Sequence, residues 1–223
     1  MVESYTWEEI GNFLSERLRK TNHIMTFGTI GSHNLEQDVD VIITKKPTSK
    51  TSDFYKEIHN LFESLDNYLN KKFKTRVIRF SHSAEEFLIK GYIKNKSIFF
   101  HTMVYVSFPQ IELDWSWAIS KNENITNLFK KNYSIFYGKI DSLFRKDFQR
   151  ENGHENLFIF LYLYDFLNSN LPEKLLLEIM NKSFEYIYKK RLGLDTPIAR
   201  NREEAKKYFY ELCDKLDELE KLK

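Results

Sequence analysis

Asp38 and Asp40 are carboxylates one residue apart in Asp38-Val39-Asp40-Val41-Ile42-Ile43-Thr44, a stretch rich in β-branched residues that reads as a strand. Side chains alternate between the faces of a strand, so the two carboxylates fall on one face. Their mutual repulsion makes this unfavourable unless a cation is shared, and hard oxygen donors suit magnesium, which brings phosphates with it. The residues just before them are of a type that receives phosphate. Gly31 lets the backbone approach closely and Ser32 carries a hydroxyl. His33 and Asn34 either add hydrogen-bond donors there or form a solvated turn. An Asp-x-Asp taken alone is more often the wet face of an edge strand. A strand, a Gly-Ser turn, a short segment and then Asp-x-Asp leading an apolar strand is rarer, and the combination favours metal.

Other elements must hold this pair in place. Ile24 to Ile30 reads as the preceding strand, ended by the Gly31-Ser32 turn, and Lys45, Lys46 and Pro47 close the strand that carries the carboxylates. Upstream, Thr6-Trp7-Glu8-Glu9 is a capping box, after which Ile10, Phe13, Leu14 and Leu18 recur at helical spacing. Downstream, Phe54, Ile58, Leu61, Phe62, Leu65 and Leu69 form one stripe of a helix over 53–70, with Asp53 as its N-cap. Thr75 to Phe80 predicts a strand, Ser83-Ala84-Glu85-Glu86 the start of another helix, and Ile98 to Phe108 a long strand. The first half is therefore mixed α/β.

From Asn124 onward the strand signals stop. Helical patterns follow at 124–149, 154–168, 172–191 and 201–222, with Gly153, Pro172, Gly193 and Pro197 between them and Asn201-Arg202-Glu203-Glu204 as a capping signal for the last. The boundary between the halves falls near residue 120. No repeat, low-complexity tract or Gly/Ser linker separates them, so they are expected to pack closely, with the ligand site in a cleft between them.

Composition narrows the classes. A chain of 223 residues, 42% apolar and 16% aromatic, is long enough for one large domain or two small ones with real cores. With 34 Lys and Arg against 32 Asp and Glu the formal charge is +2, so the overall field does not argue for nucleic acid. Any basic patch must be local. The helical half carries Lys130, Lys131, Arg145, Lys146, Arg150, Lys189, Lys190, Arg191, Arg200, Arg202, Lys206 and Lys207, which either grip phosphates or form the wet faces of amphipathic helices. The single Cys213 excludes an internal disulfide and a cysteine-rich zinc site, and fits a cytoplasmic protein. No apolar run is long enough to span a bilayer. The greasiest, Leu157 to Tyr164, ends at Asp165 and reads as a buried helix, and Met1-Val2-Glu3-Ser4-Tyr5 lacks the blocks of a signal peptide. His59, His82 and His154 lie outside any ligand spacing and read as structural or surface residues, and Asp114-Trp115-Ser116-Trp117 either stacks on a base or fills a domain junction.

From Phe27 to Ile43, an apolar strand followed by Gly31-Ser32, a spacer and Asp38-x-Asp40, the sequence resembles the DNA polymerase beta-like nucleotidyltransferase superfamily. The resemblance implies an α+β fold: a small mixed β-sheet nucleotidyltransferase domain backed by helices over residues 1–120, then an all-helical C-terminal domain over residues 121–223. It implies that Gly31 and Ser32 contact a nucleoside triphosphate and that Asp38 and Asp40 hold Mg2+ or Mn2+. The family's third carboxylate sits on a later strand beside the first two. The matching strand here, Ile98 to Val106, contains neither Asp nor Glu. His101 is its one strong metal ligand or general base, and Glu112 and Asp114, past Pro109, are the alternatives for the third position. The spacer is also shorter than in many members and lacks their frequent Arg-Gly. The activity implied is metal-dependent transfer of a nucleotide to an acceptor hydroxyl on RNA, a protein or a small molecule. The alternative, suggested by the missing carboxylate, is an inactive protein of the same fold that binds nucleotide, nucleic acid or a protein partner.

Overall fold

The structure is a computed structural model of the chain, and it describes residues 5–30, 38–46, 48–80, 97–105, 117–120 and 163–221. The helix expected to open at Ser83, the helix over 124–149 and residues 154–162 of the next one lie outside the described residues.

Helix α1 (Trp7–Leu18) starts where the capping box places it. The Thr6 hydroxyl accepts from the Glu9 N–H at 3.3 Å, and the Glu9 carboxylate accepts from the Thr6 N–H at 3.1 Å. Such a cap stabilises a helix by about 1 kcal/mol. Strands β1 (Ile24–Ile30) and β2 (Asp38–Lys45) follow, then α2 (Thr51–Phe73), β3 (Arg76–Phe80), β4 (Ser97–Tyr105) and β5 (Trp117–Ser120). The β-branched stretch from Val39 to Thr44 forms a strand as its composition dictates. Lys45, which the sequence pattern assigns to the stop, is instead the last residue of β2. Strand β5 has no counterpart in the sequence pattern, because four residues are too few to show an alternation.

The five strands form one mixed sheet in the order β3-β4-β2-β1-β5. Strand β4 runs parallel to β2 and to β3, while β1 is antiparallel to β2 and to β5. Strand β2 is therefore interior, with a partner on each side. Its odd positions Val39, Val41 and Ile43, together with Ile98 and Phe100 of β4 and Phe27 of β1, are buried on the face covered by α2. Phe62 of α2 meets Phe27 at 6.0 Å between ring centroids and Phe100 edge-on at 5.4 Å. Each side chain buried in this way contributes roughly 1.5–3 kcal/mol.

Asp53 does not cap α2. The helix already starts at Thr51, and Lys50 occupies the cap position without a side-chain hydrogen bond. The missing acceptor comes from the far end of the chain. Asp217 accepts from the Thr51 N–H at 3.0 Å and from the Thr51 hydroxyl at 2.5 Å. At its other end α2 stops at Lys74, whose left-handed conformation at φ 53° turns the chain so that the Thr75 N–H reaches back to the Leu69 carbonyl at 3.4 Å.

From residue 163 the described chain is helical apart from its turns. Residues 163–167 form one turn of helix, and α3 (Glu173–Phe184) runs on without a break into a π-helical stretch, Glu185–Leu192, closed by Gly193 at φ 65°. The sequence pattern predicts the extent of this helix but not its change of pitch. Helix α4 (Arg202–Lys221) is capped by Asn201, whose side-chain oxygen accepts from the Glu204 N–H at 2.9 Å. Phe209 of α4 packs against Tyr55 of α2 and against Tyr164. Helix α2 thus lies between the sheet and the C-terminal helices. The protein is of mixed α+β class with a helical C-terminal part, and among the described residues no helix is long and apolar enough to cross a membrane.

Candidate active site

Strand β2 carries Asp38 at its first position and Asp40 at its third. Alternation puts both on the face opposite Val39 and Val41, away from α2. Burial changes along that face: Asp40 is partly exposed, whereas Thr44 at the other end of the strand is fully buried. The accessible end of this face is therefore the one nearest the segment that connects β1 to β2.

The register fixes what stands beside the carboxylates. Asp40 is directly opposite Ile30, the last residue of β1, and on its other side directly opposite His101 of β4. Asp38 pairs with Phe99, and His101 is paired across its far side with Phe80, the last residue of β3. The later strand beside β2 is thus β4, and its residue level with Asp40 is His101. Strand β2 is an interior strand of the sheet and not an edge. Gly31, Ser32, His33 and Asn34 lie outside the described residues, as do Glu112, Asp114 and Trp115. Of the three residues Asp38, Asp40 and His101, only Asp40 has a described side chain, and no group of three His, Cys, Asp or Glu side chains gathers among the described residues.

Among the described residues, α2 and α4 meet on the side of the sheet away from Asp40. That junction contains a charge that sequence reasoning missed. Lys45, at an odd position of β2, is 2% exposed, and its ammonium donates to the Ser49 carbonyl at 2.6 Å and lies 3.5 Å from Asp217. The same carboxylate caps α2 and offsets a buried cation. A lysine next to a second lysine and a proline gives no sequence signal of burial.

Two more carboxylates position strands. Glu57 accepts from the backbone N–H groups of Asn22, His23 and Ile24 at 2.6, 2.7 and 2.9 Å, which fixes the start of β1. Asp66 accepts from the Val77 N–H at 2.7 Å and pairs with the Arg76 guanidinium at 2.9 Å, which fixes the start of β3. Both lie in the helical run of α2, where a polar residue looks like any solvated one.

His59 is structural, as its spacing suggests: its Nδ1 meets Asp165 at 2.5 Å and its ring meets the edge of Tyr164 at 5.3 Å. Burial, then the neighbouring Tyr210, pushes the Tyr164 phenol up to about 12. The basic residues of the helical half are only partly available for phosphate. Arg202 donates to the carbonyls of Leu167, Ser169 and Leu171 at 2.7, 3.1 and 3.0 Å, and Lys207 pairs with Glu211 one turn on at 3.8 Å. Lys189, Arg200 and Lys206 are exposed. Lys130, Lys131, Arg145, Lys146 and Arg150 lie outside the described residues. No protein-family model, curated protein or solved structure matches the chain.

Proposed function

We propose that the chain is a metal-dependent nucleotidyltransferase that moves a nucleotide from a nucleoside triphosphate to an acceptor hydroxyl on RNA, a protein or a small molecule. The observation that supports this reading best is the level pairing of Asp40 with His101 across two adjoining strands, with Asp38 two residues away on the same face. In this reading residues 1–120 are a nucleotidyltransferase-type domain and residues 121–223 a helical one.

The donor set fits the group it would need. Two carboxylates on one face of an interior strand offer hard oxygens, and they stand at the end of that face where Asp40 is partly exposed. Bound Mg2+ or Mn2+ would supply charge neutralisation along the triphosphate and activation of the acceptor hydroxyl. Asp38 and Asp40 are the ligands, and Gly31 and Ser32 receive the phosphates. His101 fills the third position, either as a ligand or as the base that takes the proton of the acceptor hydroxyl. Little else is asked of the protein, since phosphoryl-type transfer rests on positioning and electrostatics.

Incubation with labelled nucleoside triphosphates, Mg2+ or Mn2+ and pooled acceptors tests the proposal. A labelled product, or pyrophosphate release, that disappears in both Asp38→Ala and Asp40→Ala supports it. Metal-dependent activity that survives both substitutions sinks it. A second reading, a non-catalytic protein of the same fold, is favoured by one observation: β4, from Ser97 to Tyr105, carries no Asp or Glu. Tight triphosphate binding by calorimetry with no turnover in any metal selects it.

A further inference from the structure

We infer, on the nucleotidyltransferase reading above, that Phe62 is a positioning residue: from the far side of the sheet its ring fixes the register of the strands that flank Asp40. Phe62 meets Phe27 of β1 at 6.0 Å between ring centroids and Phe100 of β4 edge-on at 5.4 Å. Phe27 is level with Ile43 and Phe100 with Val39, so these two rings stand diagonally across β2 with Val41 between them. All of these side chains are buried. Phe62 thus spans β2 at the stretch where Asp40 leaves from the opposite face.

Helix α2 holds β1 at two places. Glu57 accepts from the N–H groups of Asn22, His23 and Ile24, at the start of the strand. From Ile24 to Thr26 β1 then advances two residues while β2 steps only from Lys45 to Thr44, so the ladder carries a bulge there. Ile24 and Phe27, three positions apart, are both buried and both level with odd positions of β2, Lys45 and Ile43. A regular strand would put them on opposite faces, and the bulge reconciles them. Beyond it the ladder runs without a shift to Ile30. The register that faces Asp40 is therefore set by Phe27 on Phe62, and not by Glu57.

Ile30, the last residue of β1, is level with Asp40, and Gly31 is next in the chain. The register of β1 thus decides where the chain leaves the sheet toward Gly31 and Ser32. A slip of one residue would move that point by about 3.3 Å and turn Phe27 to the Asp40 face. A misplacement of about 1 Å among reacting groups already costs about a hundredfold in rate. Phe62 touches neither metal nor nucleotide, and acts through the strand.

Amide hydrogen exchange of the full chain, read by NMR beside steady-state kinetics with ATP and pooled acceptors, tests this. Phe62→Val, held well below its melting temperature, is expected to speed exchange at Gly28 and Thr29 and to lower kcat/KM per folded molecule, each by about tenfold. Phe62→Met, which keeps the volume and a contact with both rings, is expected to restore most of both. Phe27→Leu, which removes the other ring from the β1 side, is expected to behave as Phe62→Val and serves where that variant does not fold. Glu57→Gln is expected to speed exchange at Asn22, His23 and Ile24 and to leave kcat/KM unchanged. Unchanged exchange at Gly28 and Thr29 in Phe62→Val overturns the inference whatever the activity. Faster exchange with unchanged kcat/KM, or an equal loss of kcat/KM in Glu57→Gln, overturns it and leaves the nucleotidyltransferase reading intact. Absence of turnover by the unaltered chain with both Mg2+ and Mn2+ overturns the two together.

Discussion

Asp217 and Thr51, 166 positions apart in the chain, are joined by the Asp217 carboxylate accepting from both the backbone N–H and the hydroxyl of Thr51. The same carboxylate lies 3.5 Å from the buried Lys45 ammonium. The first turn of α2, the end of β2 and the last turns of α4 are thus held by one side chain. Breaking a buried ion pair from one side leaves the other charge uncompensated. Asp217→Ala should therefore lower the unfolding free energy by about 3–5 kcal/mol, read from urea denaturation by circular dichroism. The double variant Lys45→Met/Asp217→Leu should lose clearly less than the single one. Equal losses would show that the helix cap, and not the charge, carries the effect.

Two left-handed residues give a matched pair of opposite sign. Lys74 is strained by its positive φ and Gly193 is not, and a Cβ built on Gly193 meets nothing within 4 Å. Backbone conformation alone then decides the outcome. Lys74→Gly should stabilise by about 0.5–1 kcal/mol, and Gly193→Ala should destabilise by about 1 kcal/mol. Paired thermal melts check both.

Tyr164 and Tyr188 set an alkaline limit. Burial first, and acidic or phenolic neighbours second, push each phenol up to about 12 from a usual value of 10. Below pH 10 both are neutral in the folded and unfolded chains, and the stability they carry is fully present. Between pH 10 and about 12 the unfolded chain loses these protons while the folded one keeps them, so stability falls as pH rises. Urea midpoints across that range should decline, with a smaller decline in Tyr164→Phe. A flat profile would contradict the assignment.

Cys213 is fully buried on α4, and burial raises its thiol far above the ordinary range. It should resist thiol reagents in the native protein and react on unfolding, so its labelling rate in urea should follow the loss of helical signal. Rapid labelling under native conditions would mean that α4 undocks from α2.

Much of this arrangement is legible in the residues, for local reasons. Thr6 and Glu9 sit within one turn of each other, and the β-branched run of β2 needs no distant partner to declare itself. What stays hidden depends on distance. The cap of α2 comes from Asp217, so Asp53 is the natural local choice and the wrong one. Lys45 looks like a strand stop because nothing near it in sequence supplies its carboxylate. The π-helical stretch after Phe184 has too few residues to separate its period from that of an α-helix. For the candidate site, Asp38, Asp40 and the strand bearing His101 are readable, but the level pairing of Asp40 with His101 is not. Register is decided by packing on the other face of the sheet, where Phe100 meets Phe62.

Activity should be most sensitive at Asp40. Asp40→Asn keeps the shape and removes the charge, so under the proposed chemistry it should lower kcat at least about a hundredfold while leaving the melting temperature nearly unchanged. Asp53→Asn, on the exposed first turn of α2, is the control that should do neither. A large stability change in Asp40→Asn would assign that carboxylate to the fold.

Glu57 and Asp66 are nine residues apart on α2, which on a helix turning about 100° per residue places them on opposite sides. Each grips the first residues of a strand: β1 for Glu57, β3 for Asp66. In the strand order these two flank the β4-β2 pair, so a single helix works as a calliper that holds β1 beside the Lys45 end of β2 and β3 beside the start of β4. Spacing between β1 and β3 is thereby set by one rigid part, so a change that bends α2 would shift both flanks of the β4-β2 pair together.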